Sequence, residues 1–196
     1  MKKYLLPISL FGVLSYFSVI IYAPYIKPGY NQTRDIVSIL MAKGEPERPA
    51  VVLVFALAYL SLLSIALWSV LKSRYKMTGF FLSIVGVFSL AQLFLPMDPW
   101  QGFRTNADKI HDWITVLIAV SIILALYYFI KSSKKNSAII STAALILILL
   151  FALATGWEII TMNFQMFGLL EKIWIGTFLL WLVYFGYQLS NELETG

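Results

Sequence analysis

Residues 137–157 read SAIISTAALILILLFALATGW, 21 consecutive residues without a charge. A helix rises 1.5 Å per residue, so the run spans about 31 Å. The hydrocarbon core of a bilayer is about 30 Å thick. Five further segments meet the same criterion, at about 4–23, 50–71, 77–96, 113–130 and 168–189. The first five spans in chain order carry no charge, and the sixth carries only Glu171 and Lys172 near its start. The predicted fold is therefore all-α, a polytopic bundle of six transmembrane helices forming one domain over 1–196.

Composition agrees. The chain has 196 residues, 60% hydrophobic and 13% charged, with a mean hydropathy of +0.80. Soluble domains hold about 45–50% apolar and about 25% charged residues, and disordered chains far less apolar surface. No cysteine is present, so disulfides, thiolate nucleophiles, iron–sulfur clusters and cysteine-based zinc sites are excluded. The one histidine, His111, excludes every multi-histidine metal centre. No metal and no cofactor is expected.

Lys2 and Lys3 give the first span a basic start, but its apolar run of about 20 residues exceeds the usual 7–15 of a secretory signal. It is expected to remain a helix of the mature protein. Orientation follows from the basic residues. Lys2, Lys3, Lys72, Arg74, Lys76, Lys131, Lys134 and Lys135 crowd the N-terminal tail and two short loops, with no acid among them. Both termini are expected to be cytoplasmic, in the plasma (inner) membrane of a prokaryote. The net charge of +5 reflects this bias and gives no reason to invoke nucleic acid. Trp100, Trp113, Trp157 and Trp174 are expected in an interfacial belt at the outer ends of spans, and Trp181 in packing between helices.

Eight of the ten acids, and His111, fall on the outer side. In the first outer loop, Ile36, Ile39 and Leu40 recur at helical spacing while Arg34, Asp35 and Ser38 share another side. Asn31 suits an N-cap and Gly44 a stop, so a short amphipathic helix is expected over about 32–42, on the outer leaflet or as a structural lid across the helix ends. In the second, Asp98 lies between Pro96 and Pro99, in a rigid turn. Thr105 and Asp108 read as a capping box that opens the fourth helix. His111 then faces the bundle in its second turn, with Asp98 its expected partner, by a direct hydrogen bond or through one water.

At these residues the chain resembles a family of prokaryotic integral membrane proteins catalogued as domain of unknown function 998. Residues 30–40 (YNQTRDIVSIL), followed by Gly44 and Pro46, resemble the family's tyrosine-polar-isoleucine-serine-x-leucine segment ahead of a glycine and a proline. Leu95-Pro96-Met97-Asp98-Pro99 with the later His111 resembles its phenylalanine-proline-x-aspartate-proline turn and histidine. Gly168-Leu169-Leu170-Glu171-Lys172 and Trp181 resemble its final span. Leu95 stands where phenylalanine is usual, Ile39 where a glutamate is usual, and Lys172 where arginine is more frequent. The resemblance implies the six-helix layout and points at Ser38, Asp98 and His111, and it brings no assigned activity.

These observations favour a lipid- or amphiphile-binding membrane module with an outward polar site. Two other classes stay open. Ser38, His111 and Asp98 are the residue types of a nucleophile, a base and an orienting acid, which suits a hydrolase or transferase acting on a lipid-like substrate. No Gly-x-Ser-x-Gly elbow accompanies them. A metal-dependent variant would use His111 with Asp98 and either Asp112 or Asp108. A transporter or lipid-moving protein is the third class, and the lack of ionisable residues inside spans one to five argues against ion coupling. Arg34, Asp35, Trp100, Asp112 and Glu171 are the candidate substrate-binding residues. Membrane lipids are the expected partners, with a membrane-protein partner or a homo-oligomer left open.

Overall fold

The computed structural model describes residues 2–95, 105–161 and 164–191. Six α-helices account for most of them: α1 (Leu5–Ile26), α2 (Arg48–Lys72), α3 (Lys76–Gln92), α4 (Asn106–Ser132), α5 (Lys135–Ile160) and α6 (Phe167–Asn191). Five are long and apolar enough to cross a membrane, and α3, with 17 residues, is the short one. At 1.5 Å per residue α3 still covers about 25 Å, close to the thickness of the hydrocarbon core. The chain is a multi-pass membrane protein.

Each helix packs on its neighbour in sequence, and α6 returns to α1, so the six form a closed ring. Small residues allow the close approaches, as expected where lipid supplies no hydrophobic drive between helices. A Cβ on Gly79 of α3 would lie 2.7 Å from the Ala66 carbonyl oxygen of α2, and one on Gly186 of α6 would lie 2.5 Å from Ser9 Oγ of α1. Helix α5 sits outermost. Ser137, Ser141 and Ile148 face inward, while Ile139, Ile146, Leu150, Leu153 and Ile160 are exposed to what would be lipid.

The end of the bundle away from the α1–α2 loop is closed by rings. Tyr75 lies 4.8 Å from Phe129, Phe129 lies 5.3 Å from Phe185, and Phe185 stacks on Trp181 at 5.5 Å between centroids. Trp181 also donates its indole N–H to Ser141 Oγ of α5 at 3.0 Å. It is a packing residue between helices, as its depth in the sixth span suggests.

The α1–α2 loop departs from the expected helix over 32–42. Asn31 does cap, but it caps a single turn: its Oδ1 accepts from the Thr33 and Arg34 N–H groups at 2.9 and 3.2 Å. Ile36 is then extended (ψ 157°), and a short 3-10 helix, Val37–Met41, follows. A continuous α-helix is ruled out because the carbonyls of Gln32, Thr33, Arg34 and Asp35 all serve partners on α6. The apolar side is nevertheless the expected one, with Ile36 and Leu40 buried and Ile39 half-buried. Gly44, at φ 85°, makes the expected stop, in the left-handed region that favours glycine.

Pro24 lies inside α1. It has no N–H, so the carbonyl of Ile20, four residues back, loses its helical donor. Gln32 Nε2 takes that place, donating to Ile20 O at 2.7 Å. One side chain thus repairs the helix and ties the loop down.

Candidate functional site

The loop is fastened to α1, α2 and α6 and, through Arg48, to the end of α3. Lys172, on the second turn of α6, is buried, and its ammonium donates to the carbonyls of Asp35 (2.6 Å), Gln32 (3.0 Å) and Gly168 (3.2 Å). It also lies 5.1 Å from the ring centroid of Tyr30. The Gly168 and Leu169 N–H groups, which a helix start leaves without partners, donate to Arg34 O at 3.1 Å and Thr33 O at 2.8 Å. A Cβ on Gly168 would sit 2.2 Å from Asp35 O, so only glycine permits this approach. On the other flank, Arg48 donates to Met41 O at 3.1 Å and to Leu93 O at 3.0 Å, linking the loop to the end of α3. Lys27 pairs with Glu45 across the loop's base.

Beneath this lid lies a cavity of about 110 Å³. Val37, Ser38 and Met41 line it from the lid, Gly12 and Tyr16 from α1, and Phe55, Ala58, Tyr59 and Leu62 from α2. Helix α3 contributes Val85, Ser89 and Gln92, and α4 contributes His111, Thr115, Ile118 and Ile122. Glu171, Trp174, Ile175, Phe178, Leu179 and Leu182 present one continuous face of α6 at helical spacing. From Glu171 to Leu182, and equally from His111 to Ile122, the axial distance is about 16 Å, half the bilayer core. Ser38, Gln92, His111, Thr115 and Glu171 gather at the lid end, and the wall below them is mostly apolar, with Ser89 and the phenols of Tyr16 and Tyr59 set into it.

His111 is 5% exposed and faces the bundle, as expected for the second turn of α4. Its Nδ1 lies 2.8 Å from the carbonyl oxygen of Leu95. A carbonyl only accepts, so Nδ1 carries the hydrogen and Nε2 is the ring nitrogen left for another partner. Gln92 braces the same turn, donating from Nε2 to His111 O at 3.2 Å and to Thr115 Oγ1 at 2.7 Å. Thr105 directly precedes α4, and its carbonyl accepts from the Lys109 N–H at 3.2 Å, so the cap position is the expected one.

Glu171 lies at the cavity wall, where its Oε2 accepts the Val37 N–H at 2.8 Å. Among the described residues no cation stands within ion-pair distance of it. Lys172, next in sequence, turns the other way to the lid carbonyls.

Of the sequence-derived site residues, Ser38, His111 and Glu171 come together on the cavity wall. No hydrogen bond joins Ser38 to His111, whose Nδ1 is engaged by Leu95. Asp98 and Trp100, and with Asp98 the expected contact to His111, lie outside the described residues. Arg34 and Asp35 pair with each other at 2.8 Å, Arg34 being exposed, and neither lines the cavity. Asp112 is exposed on α4. Trp174, expected in the interfacial belt, is instead buried and lines the cavity, whereas Trp113 and Trp157 are exposed as a belt requires. No group of three metal-ligating side chains occurs among the described residues.

Partial burial pushes the Asp35 carboxyl up, but the hydrogen bond from Arg34, the Asn31 N–H and the charges of Arg34 and Lys172 outweigh it. The net effect holds Asp35 below the usual carboxylate range. Burial pushes the Tyr30 phenol well up. Its hydroxyl donates to Asp35 O at 3.0 Å, so Tyr30 acts as a fixed neutral strut of the lid.

Tyr16 and Tyr59, which the sequence reading passed over, line the cavity with Phe55. Their rings form a cluster, with centroids 4.9 Å apart for Tyr16–Phe55, 6.0 Å for Phe55–Tyr59 and 6.4 Å for Tyr16–Tyr59. Their spacing from Phe55 to Tyr59 is one helical turn, but nothing in a wholly apolar span marks which face is inward. Two comparisons with known proteins, against curated sequences and against solved structures, give no match. The family described as "Protein of unknown function (DUF998)" matches residues 10–188.

Proposed function

The chain belongs to the DUF998 family, and on that footing we propose that it is a membrane module that binds a single amphiphile or lipid chain in the cavity under the α1–α2 loop. One observation carries this reading: a cavity whose lining runs about 16 Å along α6, polar at the lid and mostly apolar below, matching the head and tail of an amphiphile entering one leaflet. The exposed Thr115, on the wall at α4, gives the cavity contact with the surface. The distribution of lysine and arginine supports an outward-facing lid. A cysteine placed at Ser73, on the opposite side, is then labelled only after the membrane is permeabilised.

The hydrolase reading has less support. Ser38 and His111 share the cavity, but the hydrogen bond that would activate a serine is not formed.

Native mass spectrometry of the detergent-purified chain tests the proposal. The wild type is expected to retain a lipid or amphiphile adduct through detergent exchange. Val85→Phe on α3 and Leu179→Trp on α6, which fill the cavity from two sides, are each expected to lose it. Adducts retained equally by both folded variants would overturn the reading.

A further inference from the structure

We propose that the polar end of this cavity selects an ammonium headgroup, which Glu171 and the aromatic wall of Tyr16, Phe55 and Tyr59 hold together. This rests on the amphiphile-binding reading above and names the chemistry of its ligand.

The first observation is a carboxyl group that no cation partners among the described residues. Glu171 Oε2 is occupied by the Val37 N–H, and among the described residues Oε1 has no hydrogen-bond partner. The cation next to it in sequence is committed elsewhere, Lys172 donating to the carbonyls of Gln32, Asp35 and Gly168. A carboxylate on the wall of an apolar cavity is costly without a partner, and a cationic ligand supplies one.

The second observation is the surroundings. Tyr16, Phe55 and Tyr59 form a packed ring cluster in the lining of the same cavity, from α1 and α2, and Trp174 stands one turn along α6 from Glu171. Ring faces attract organic cations, the more so where water is excluded. The third is hydrogen-bond polarity. With Nδ1 donating to Leu95, Nε2 is the His111 nitrogen left to accept from a ligand, as Glu171 accepts at Oε1. These two acceptors suit a ligand that brings donors and positive charge, and the Ser38, Tyr16 and Tyr59 hydroxyls on the lining accept as readily as they donate. A primary ammonium brings both. A phosphate or carboxylate headgroup brings neither.

Such an ammonium has two sources, the headgroup of an aminophospholipid or a free single-chain amine, and the test separates them. The purified full chain is titrated with dodecylammonium and with dodecanol, the neutral probe of equal chain length, and adducts are followed by native mass spectrometry. Dodecylammonium is expected to bind about tenfold or more tightly than dodecanol. Glu171→Gln keeps an oxygen acceptor for Val37, and Tyr59→Leu keeps the bulk but removes a ring face. Each is expected to weaken dodecylammonium while leaving dodecanol unchanged.

Equal binding of the two probes by the wild type would overturn the ammonium assignment and leave amphiphile binding standing. Binding of neither would overturn both. A cation preference that survives in both variants would also overturn the assignment. Displacement of dodecylammonium by phosphatidylethanolamine vesicles, but not by phosphatidylglycerol vesicles, supports the assignment and places the ammonium on a lipid. Displacement by neither also supports it, and places the ammonium on a free amine.

Discussion

Glu171 on α6 accepts the main-chain N–H of Val37 at 2.8 Å, so the carboxylate on the cavity wall also holds the 3-10 turn of the lid. Whatever binds at Glu171 is therefore coupled to the lid through one side chain. The next residue, Lys172, reinforces the same junction from the other face of the helix.

Replacing Lys172 with Met is expected to detach the first half of the lid. Three carbonyls lose a charged donor, and a single hydrogen bond to a charged group is worth about 1.5–3 kcal/mol. The detergent-solubilised variant should melt at lower temperature, with a loss of about 2–3 kcal/mol. A cysteine at Ser38 should also become faster to label. An unchanged melting temperature would show that the ammonium contributes nothing to lid attachment.

Two glycines in helices should respond oppositely to alanine. A Cβ on Gly168 meets the Asp35 backbone at 2.2 Å, so Gly168→Ala must push the lid away, at the cost of about 1–3 kcal/mol seen for overpacking. A Cβ on Gly156 of α5 meets nothing within 4 Å, and Gly156→Ala should stabilise by up to about 1 kcal/mol through helix propensity. Thermal melts of the two variants compare them directly.

The repair of α1 by Gln32 predicts non-additivity. Gln32→Leu leaves Ile20 O without a donor and should lower stability by about 1–2 kcal/mol. In a Pro24→Ala background, residue 24 recovers its N–H and can serve Ile20 itself. There the same change should cost much less. Equal costs in the two backgrounds would separate Gln32 from the proline.

The acid limb of stability should carry a contribution from Asp35. Its carboxyl is held below its ordinary value in the folded chain, so the contribution is complete above the unfolded value of about 3.9. It is lost as pH falls through the lower folded value. Asp35→Asn should therefore lower stability at neutral pH while flattening its fall below about pH 4. Melts between neutral and acid pH read the difference, which is small because the Arg34 side of the pair is exposed to solvent.

The spans were legible because lipid imposes a length and bars charges, and both are written directly in the chain. His111 is placed in the second turn by counting from the Thr105 cap, and its inward face follows from the partner expected there. The lid was misread as an α-helix because its own residues satisfy helical spacing. What breaks that helix lies more than a hundred residues away, in Lys172 and the free N–H groups of Gly168 and Leu169. Gln32 was silent for the same reason: its partner is a carbonyl freed by a proline eight residues upstream. The aromatic wall was hidden because α2 is apolar on all sides, so periodicity does not tell the cavity from the lipid face. Asp98, the expected partner of His111, lies outside the described residues.

The central claim is that an amphiphile's tail lies inside the ring of helices and not on its outer surface. Photolabelling reads this directly, using dodecylammonium with a diazirine at the chain terminus and peptide mapping of the product. Label is expected on the deep cavity wall, at Leu62 of α2, Ile122 of α4 and Leu182 of α6. Label confined to exposed positions such as Leu150, Leu153 and Ile160 of α5, with none on the cavity wall, would contradict the account.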